Sequence, residues 1–244
     1  MSGPANQGGS LDLAQPIGRK FRFSWLFFSL MFFISLSFLL DIACWLPAPV
    51  VKLPEEIKNF QGEASCYFRQ PEKEGRFRLV FYFEPADKIR LEILNPFGGR
   101  ESILWLNGKK AFLDIPRQKV CWQGDSGVIT TDFLGGEISA SEIIGIFLRK
   151  SEAFSADKGW ELFYDNAGQI IGGKKGPFSF EIKEKFPEGN PARNIYFRSN
   201  LSFVRIKILK IKFNQYWKND FILPSFSPGT EFLSWEDISK IWKR

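Results

Sequence analysis

The sequence predicts a mainly β protein: a strongly curved antiparallel sheet, or incomplete β-barrel, of about ten strands with covering helices, preceded by an apolar N-terminal helix. Three observations carry this. From about residue 57 onward, apolar and polar residues alternate with period two over short runs, the mark of half-buried strands. The runs follow one another so closely that neighbours can pair only antiparallel. Aromatic residues make up 16% of the chain, with 27 Phe and 8 Trp, which suits both a sheet and an apolar interior.

The elements follow in order. A first strand is expected over 61–69. The run 76–83 alternates, with Phe77, Leu79, Phe81 and Phe83 on one face. Over 88–94, Ile89, Leu91 and Ile93 oppose Arg90 and Glu92. Strands at 101–106 and 109–115 are joined by Asn107-Gly108, a tight-hairpin dipeptide. A short strand follows at 119–122. One helix breaks the series at 139–149: Ser139, Ser141 and Glu142 offer capping groups, and Ile143, Ile144, Phe147 and Leu148 recur at helical spacing. Strands resume at 160–164, 169–173, 178–185, 194–198 and 202–213. In the last, Val204, Ile206 and Ile208 share one parity, whereas Leu209, Ile211 and Phe213 take the other. The phase change predicts a β-bulge between Ile208 and Leu209. Arg205, Lys207, Lys210 and Lys212 take the other face, as a solvated edge guard or as a contact for lipid headgroups. Residues 231–244 are expected to form an amphipathic helix, with Ser234 and Asp237 at its start and Phe232, Trp235, Ile238, Ile241 and Trp242 as an apolar stripe. That stripe fits packing on the sheet, or a membrane or partner contact.

The chain thus divides into a polar and then basic segment at 1–24, expected to be disordered, an apolar run at 25–46, a β domain at 47–230 and the final helix at 231–244. Arg19, Lys20 and Arg22 precede sixteen residues (25–40) without a charge. A basic flank before an apolar run directs export, so the remainder is expected outside the cytoplasm. Two fates of the run stay open. Cleavage before Cys44 would leave a cysteine for acylation, although Asp41 is unusual three positions ahead of it. Retention from Trp25 to Leu46 would give 22 residues, long enough to span a bilayer. A buried core helix fits poorly, because the run is apolar all round.

Composition excludes several chemistries. The chain has no histidine, which removes Ser-His-Asp and Cys-His nucleophile pairs and His-ligated metals. Cys44, Cys66 and Cys121 show no C-x-x-C spacing. No carboxylate pair stands out from a solvated surface, so no enzyme, cofactor or metal site is read. The net charge is +6, but the basic residues are spread along the chain and form no nucleic-acid motif. Cys66 and Cys121 read as separate buried thiols rather than a disulfide, although export would permit one.

One stretch carries a resemblance. Ile89-Arg-Leu-Glu-Ile-Leu-Asn-Pro-Phe-Gly98 resembles the central signature of LolB, the outer-membrane receptor for lipoproteins, in which a strand runs into Asn-Pro-hydrophobic-Gly. The order of parts over roughly 57–215 is similar too: a paired strand before the motif, then a hairpin, a helix with an acidic start, and further strands. The resemblance implies an incomplete barrel around an apolar cavity, with Phe77, Leu79, Phe81, Ile89, Leu91 and Ile93 as candidate lining. It implies a periplasm-facing lipoprotein, anchored through Cys44 to the outer membrane, that takes up acyl chains of lipoproteins from a periplasmic carrier and delivers them to membrane lipid. Asn95, Pro96, Phe97 and Gly98 would form the membrane-contact loop. Asn95-Pro96 and Gly98-Gly99 are turn formers that can project Phe97, although a strand-end phenylalanine can equally cap the core. The alternative reading is a non-enzymatic structural or assembly subunit of an envelope complex, held in the inner membrane by an uncleaved helix, with the C-terminal helix docking a partner.

Overall fold

The computed structural model describes residues 51, 53–154, 158–187, 191–216 and 224–242. The expected segments at 1–24 and 25–46, Cys44 among them, lie outside the described residues. Six strands follow one another as an antiparallel meander: β1 (Phe60–Gln70), β2 (Lys73–Glu84), β3 (Lys88–Leu94), β4 (Arg100–Asn107), β5 (Lys110–Ile115) and β6 (Val120–Asp125). Two helices then cross, α1 (Ser126–Leu134) and α2 (Ala140–Leu148), with a 3₁₀ turn at Ser151–Ala153. A second meander comprises β7 (Glu161–Tyr164), β8 (Ile170–Lys175), β9 (Phe178–Lys185), β10 (Ala192–Arg198) and β11 (Phe203–Phe213). The antiparallel pairing of β11 with β1 joins the two meanders. With β12 (Glu231–Phe232) they make one open, curved sheet in the order β12-β6-β5-β4-β3-β2-β1-β11-β10-β9-β8-β7. The last helix is α3 (Trp235–Trp242).

Alternation puts Phe60, Ala64 and Cys66 of β1, Leu79, Phe81 and Phe83 of β2, and Val204, Ile206 and Ile208 of β11 on one face, where they share a core with Ile129 of α1 and Ile143, Ile146 and Phe147 of α2. The helices therefore cover the concave side. The expected bulge is present: Glu63 faces Lys210, Ala64 faces Ile208, and Leu209 is the unpaired extra residue, turned out to solvent.

Each helix has a local cause. For α2 it is a capping box: the Ser139 N–H donates to Glu142 Oε2 at 2.7 Å, and the Glu142 N–H donates to Ser139 Oγ at 3.3 Å. For α1 it is Asp125, whose Oδ1 accepts the Gly127 N–H at 2.7 Å, and Gly135, which ends the helix in the left-handed region. Sequence periodicity does not reveal α1. Gly127, Thr130 and Thr131 are weak helix formers, and burial of Ile129 and Leu134 supplies what propensity does not.

The C-terminus departs from the expected single helix. Residues 231–232 pair parallel with β6, and the helix begins only at Trp235. Ser234 caps it, its Oγ accepting the Asp237 N–H at 3.2 Å. Trp235 packs on Trp122 with ring centroids 4.7 Å apart, and Ile238 is fully buried in the core. The apolar stripe is thus used, in part, against the chain's own sheet. Cys66 lies in the core and Cys121 on the opposite face of the sheet, and both are free thiols.

Candidate functional site

An apolar pocket lies between the concave face and the two covering helices. Its walls come from β2 (Phe77, Leu79, Phe83), β3 (Leu91, Ile93) and β4 (Ser102, Leu104, Leu106). Its roof is Ile129, Thr130, Phe133 and Leu134 of α1 with Ile143 and Phe147 of α2. None of the lining side chains carries a charge. Cys66 is among them, and burial pushes its thiol up to about 12, so it stays neutral and unreactive. Thr130 turns its hydroxyl onto backbone, accepting the Ile138 N–H at 3.3 Å. Such a wall can hold hydrocarbon and offers no acid, base or nucleophile.

The enclosed volume is only about 70 Å³, room for a couple of waters at ~30 Å³ each. The pocket continues into a solvent-facing recess of about 240 Å³, with which it shares Phe77, Ile93, Ser102 and Phe133. Lys73, Arg76, Glu101 and Asp132 stand around this mouth. Phe133, at the end of α1, lies between pocket and mouth. Two side-chain bonds from neighbouring turns hold that end of the helix: Gln70 Nε2 donates to the Asp132 carbonyl at 3.1 Å, and Ser202 Oγ donates to the Leu134 carbonyl at 2.8 Å.

Of the six residues expected to line a cavity, Phe77, Leu79, Leu91 and Ile93 do so. Phe81 and Ile89 share their face but sit deeper, sealed in solid core. The Phe81 ring meets Phe60, Phe83 and Phe147 at centroid distances of 5.2–6.4 Å. Parity fixes which side of the sheet a residue takes, and depth along the strand decides whether it meets a void. The α1 roof residues were not legible from periodicity. The available signal was Asp125 as cap and Gly135-Gly136 as stop.

Two residues beyond Ile93, the chain turns at the Asn-Pro-Phe-Gly loop. Asn95 is buried and braces the turn. Its N–H donates to the Gly99 carbonyl, and its Oδ1 accepts the N–H groups of Phe97 at 3.0 Å and Gly99 at 2.9 Å. Gly98 takes φ +82°, a conformation that favours glycine. The result is a Phe97 side chain 96% exposed. The loop displays its phenylalanine instead of capping the core.

No protein-family model and no curated protein sequence matches the chain. Solved structures do. A domain from Vibrio parahaemolyticus, provisionally described as an outer membrane lipoprotein-sorting protein domain, superposes with a TM-score of 0.51 at 8% identity, over 69% of this chain and 91% of that one. The chain shares that domain's fold. At this identity the likeness concerns the fold alone. A LolA superfamily protein from Nitrosomonas europaea gives a TM-score of 0.47 at 11% identity, over 70% of this chain and 92% of that one. A DUF1329 family protein from Desulfovibrio piger gives 0.46 at 10% identity, over 69% and 90%.

Proposed function

We propose that this chain is an envelope-tethered receptor that takes the acyl chains of lipoproteins into the pocket beneath α1 and α2 and passes them to membrane lipid at the Phe97 loop. The observation that carries the reading is the pairing of a charge-free pocket with a braced, fully displayed phenylalanine four residues past Ile93 at its mouth. The lipoprotein-sorting fold supports it. Cys44 is the acylation site in this reading, and residues 25–46 direct export. The donor is a periplasmic lipoprotein carrier, and the recipient is the outer membrane.

The reading has a physical requirement. Drug-sized ligands occupy pockets of about 300–1,000 Å³, several times the enclosed volume here. Loading therefore needs α1 to withdraw from the sheet, and the hydrogen bonds from Gln70 and Ser202 are the local latch. Phe133 moves with the helix and joins pocket to mouth. The cargo moves between apolar sites and no covalent chemistry is involved.

The test is photo-crosslinking of the full chain with a lipopeptide whose acyl chain carries a diazirine. Adducts are expected on Phe77, Leu91, Ile93, Leu104 or Phe133. Adducts confined to residues 25–46, or none on the pocket wall, would refute the reading. A Phe97→Glu variant should keep these adducts and its melting temperature, since the ring packs on nothing, yet lose transfer to acceptor vesicles. Unimpaired transfer would remove the loop from the mechanism.

A further inference from the structure

A second display lies at the same end of the sheet. Pairing of Arg69 with Phe203 places the β10–β11 turn beside the β1–β2 turn. The β3–β4 loop that carries Phe97 is at this end too, since Leu94 faces Arg78 and the chain then runs on toward the β1–β2 turn. The two loops are four strand spacings apart along the sheet, roughly 20 Å. The β10–β11 turn is braced as the Phe97 loop is. Ser199 Oγ accepts the N–H groups of Leu201 at 3.2 Å and Ser202 at 3.0 Å, and the Ser199 N–H donates to the Ser202 carbonyl. Ser202 is buried and tied to α1. The residue left at the tip is Leu201, 71% exposed.

Behind this tip, the convex face carries arginines and aromatic rings in alternation. Register sets Arg76, Tyr67, Arg205 and Tyr196 in one cross-strand row, ended by Glu181, and Arg69, Phe203 and Arg198 in the next, ended by Glu74. The rings touch: Phe203 lies 6.0 Å from Tyr67 and 5.8 Å from Tyr196. Guanidinium groups stack on them, Arg76 over Tyr67, Arg69 over Phe203 and Arg198 over Tyr196, each at 5.6 Å. Stacking holds a guanidinium flat and leaves its N–H edge free for an anion. Glu74 accepts the Tyr67 hydroxyl, and Glu181 pairs with Arg198. Among the described residues, Arg69, Arg76 and Arg205 have no carboxylate within salt-bridge distance.

We propose that this Arg-aromatic face, with Leu201 at its tip, is a docking surface for an anionic phospholipid bilayer. The layering selects the partner. An apolar tip lies outermost, and rings and arginines stand behind it, which is the order of acyl region and headgroup region met on entering a membrane. A nucleic acid would use the arginines and rings but leave the leucine without a role. The surface goes beyond the cargo reading and does not depend on the pocket. With Phe97 it gives two separated insertion points, which fix the orientation of the sheet on the membrane instead of leaving it to swivel on one.

The full chain, with Cys44→Ser, is labelled with an environment-sensitive dye at Leu201→Cys, at Phe97→Cys or, as a control, at Ile171→Cys on β8, and reconstituted into vesicles of phosphatidylcholine with or without phosphatidylglycerol. Cys66 and Cys121 are buried and stay unlabelled. The expected result is blue-shifted emission at 201, quenched by nitroxide lipid, in the anionic vesicles, with 171 remaining aqueous. Added salt, or the triple change Arg69→Gln, Arg76→Gln and Arg205→Gln, should reverse most of the shift at 201. An aqueous label at 201 on anionic vesicles, or a shift indifferent to both salt and the triple change, would overturn the proposal. So would loss of single-stranded RNA binding in the triple variant with no lipid response at 201. Position 97 reports the delivery loop separately: 97 in lipid with 201 in water sinks this inference alone, and the reverse sinks the loop alone.

Discussion

Gly62 faces the place where β11 bulges. A methyl group on its α-carbon would collide with the Lys210 carbonyl on one side and the Phe81 ring on the other. The bulge turns Leu209 outward and brings the β11 backbone close to β1 opposite it. Only glycine leaves space for that approach, so Gly62→Ala is predicted to destabilise the fold by about 1–3 kcal/mol, the usual range for overpacking. Urea unfolding measures it, and a neutral result would mean that the sheet relaxes there freely.

Arg149 shows how an element is fixed by a single side chain. It ends α2 in the left-handed region and is itself buried. Its Nε donates to the Ile170 carbonyl at 2.9 Å, Nη1 to Gln169 at 2.8 Å and Nη2 to Asp165 at 2.6 Å, clamping the covering helix to the β7–β8 turn. Hydrogen bonds from the Gln169 N–H and from Arg149 hold the Asp165 carboxyl below its ordinary value. The depressed folded value means that this contribution is present above the unfolded carboxylate range, near pH ~4, and is lost as pH falls through the lower folded value. Arg149→Ala should loosen β7 and β8 at neutral pH, because it takes the donors from the Ile170 carbonyl, Gln169 and Asp165 together. Hydrogen exchange should detect the change in those strands first. Asp165→Asn should flatten the acid limb of the stability curve. At this scale most strands were legible, because alternation survives wherever one face is buried. The capping box of α2 was legible for the same local reason. β12 was not: it has two residues, and its place depends on a β6 edge more than a hundred positions earlier in the chain.

For the molecule as a whole, the sheet carries a second apolar layer on its convex side. Trp105 and Ile103 of β4 and Cys121 of β6 are buried there, outside the main core. Phe226 packs on this layer, its ring 6.0 Å from Trp105 and 6.2 Å from Phe112. β12 is hydrogen bonded along β6, the Leu233 N–H donating to the Cys121 carbonyl at 2.8 Å. Burial, and then the neighbouring Asp114 carboxylate, raises the Cys121 thiol to about 11. The thiol is thus protected twice, by cover and by protonation. Deleting residues 224–244 should make Cys121 react with iodoacetamide at least tenfold faster near pH 8, as its pKa returns toward ~8.5, with the adduct mapped by mass spectrometry. Unchanged reactivity would mean that the outer layer closes without the C-terminal segment.

The strand order also has a meaning in time. A chain emerging from its N-terminus delivers β1 to β6 first, and that meander has two bare borders, β1 and β6. Neither border is closed by the residues that emerge next, since β7 to β10 pair among themselves. One late stretch, residues 203–233, supplies both missing neighbours, β11 for β1 and β12 for β6. Nascent or prematurely ended chains therefore expose two long rows of unsatisfied backbone groups, each an invitation to pair with another chain. Completing the last forty or so residues pairs β1 along its length and covers Val120 and Cys121 of β6, so chains ended before β11 are expected to aggregate more readily than the whole chain.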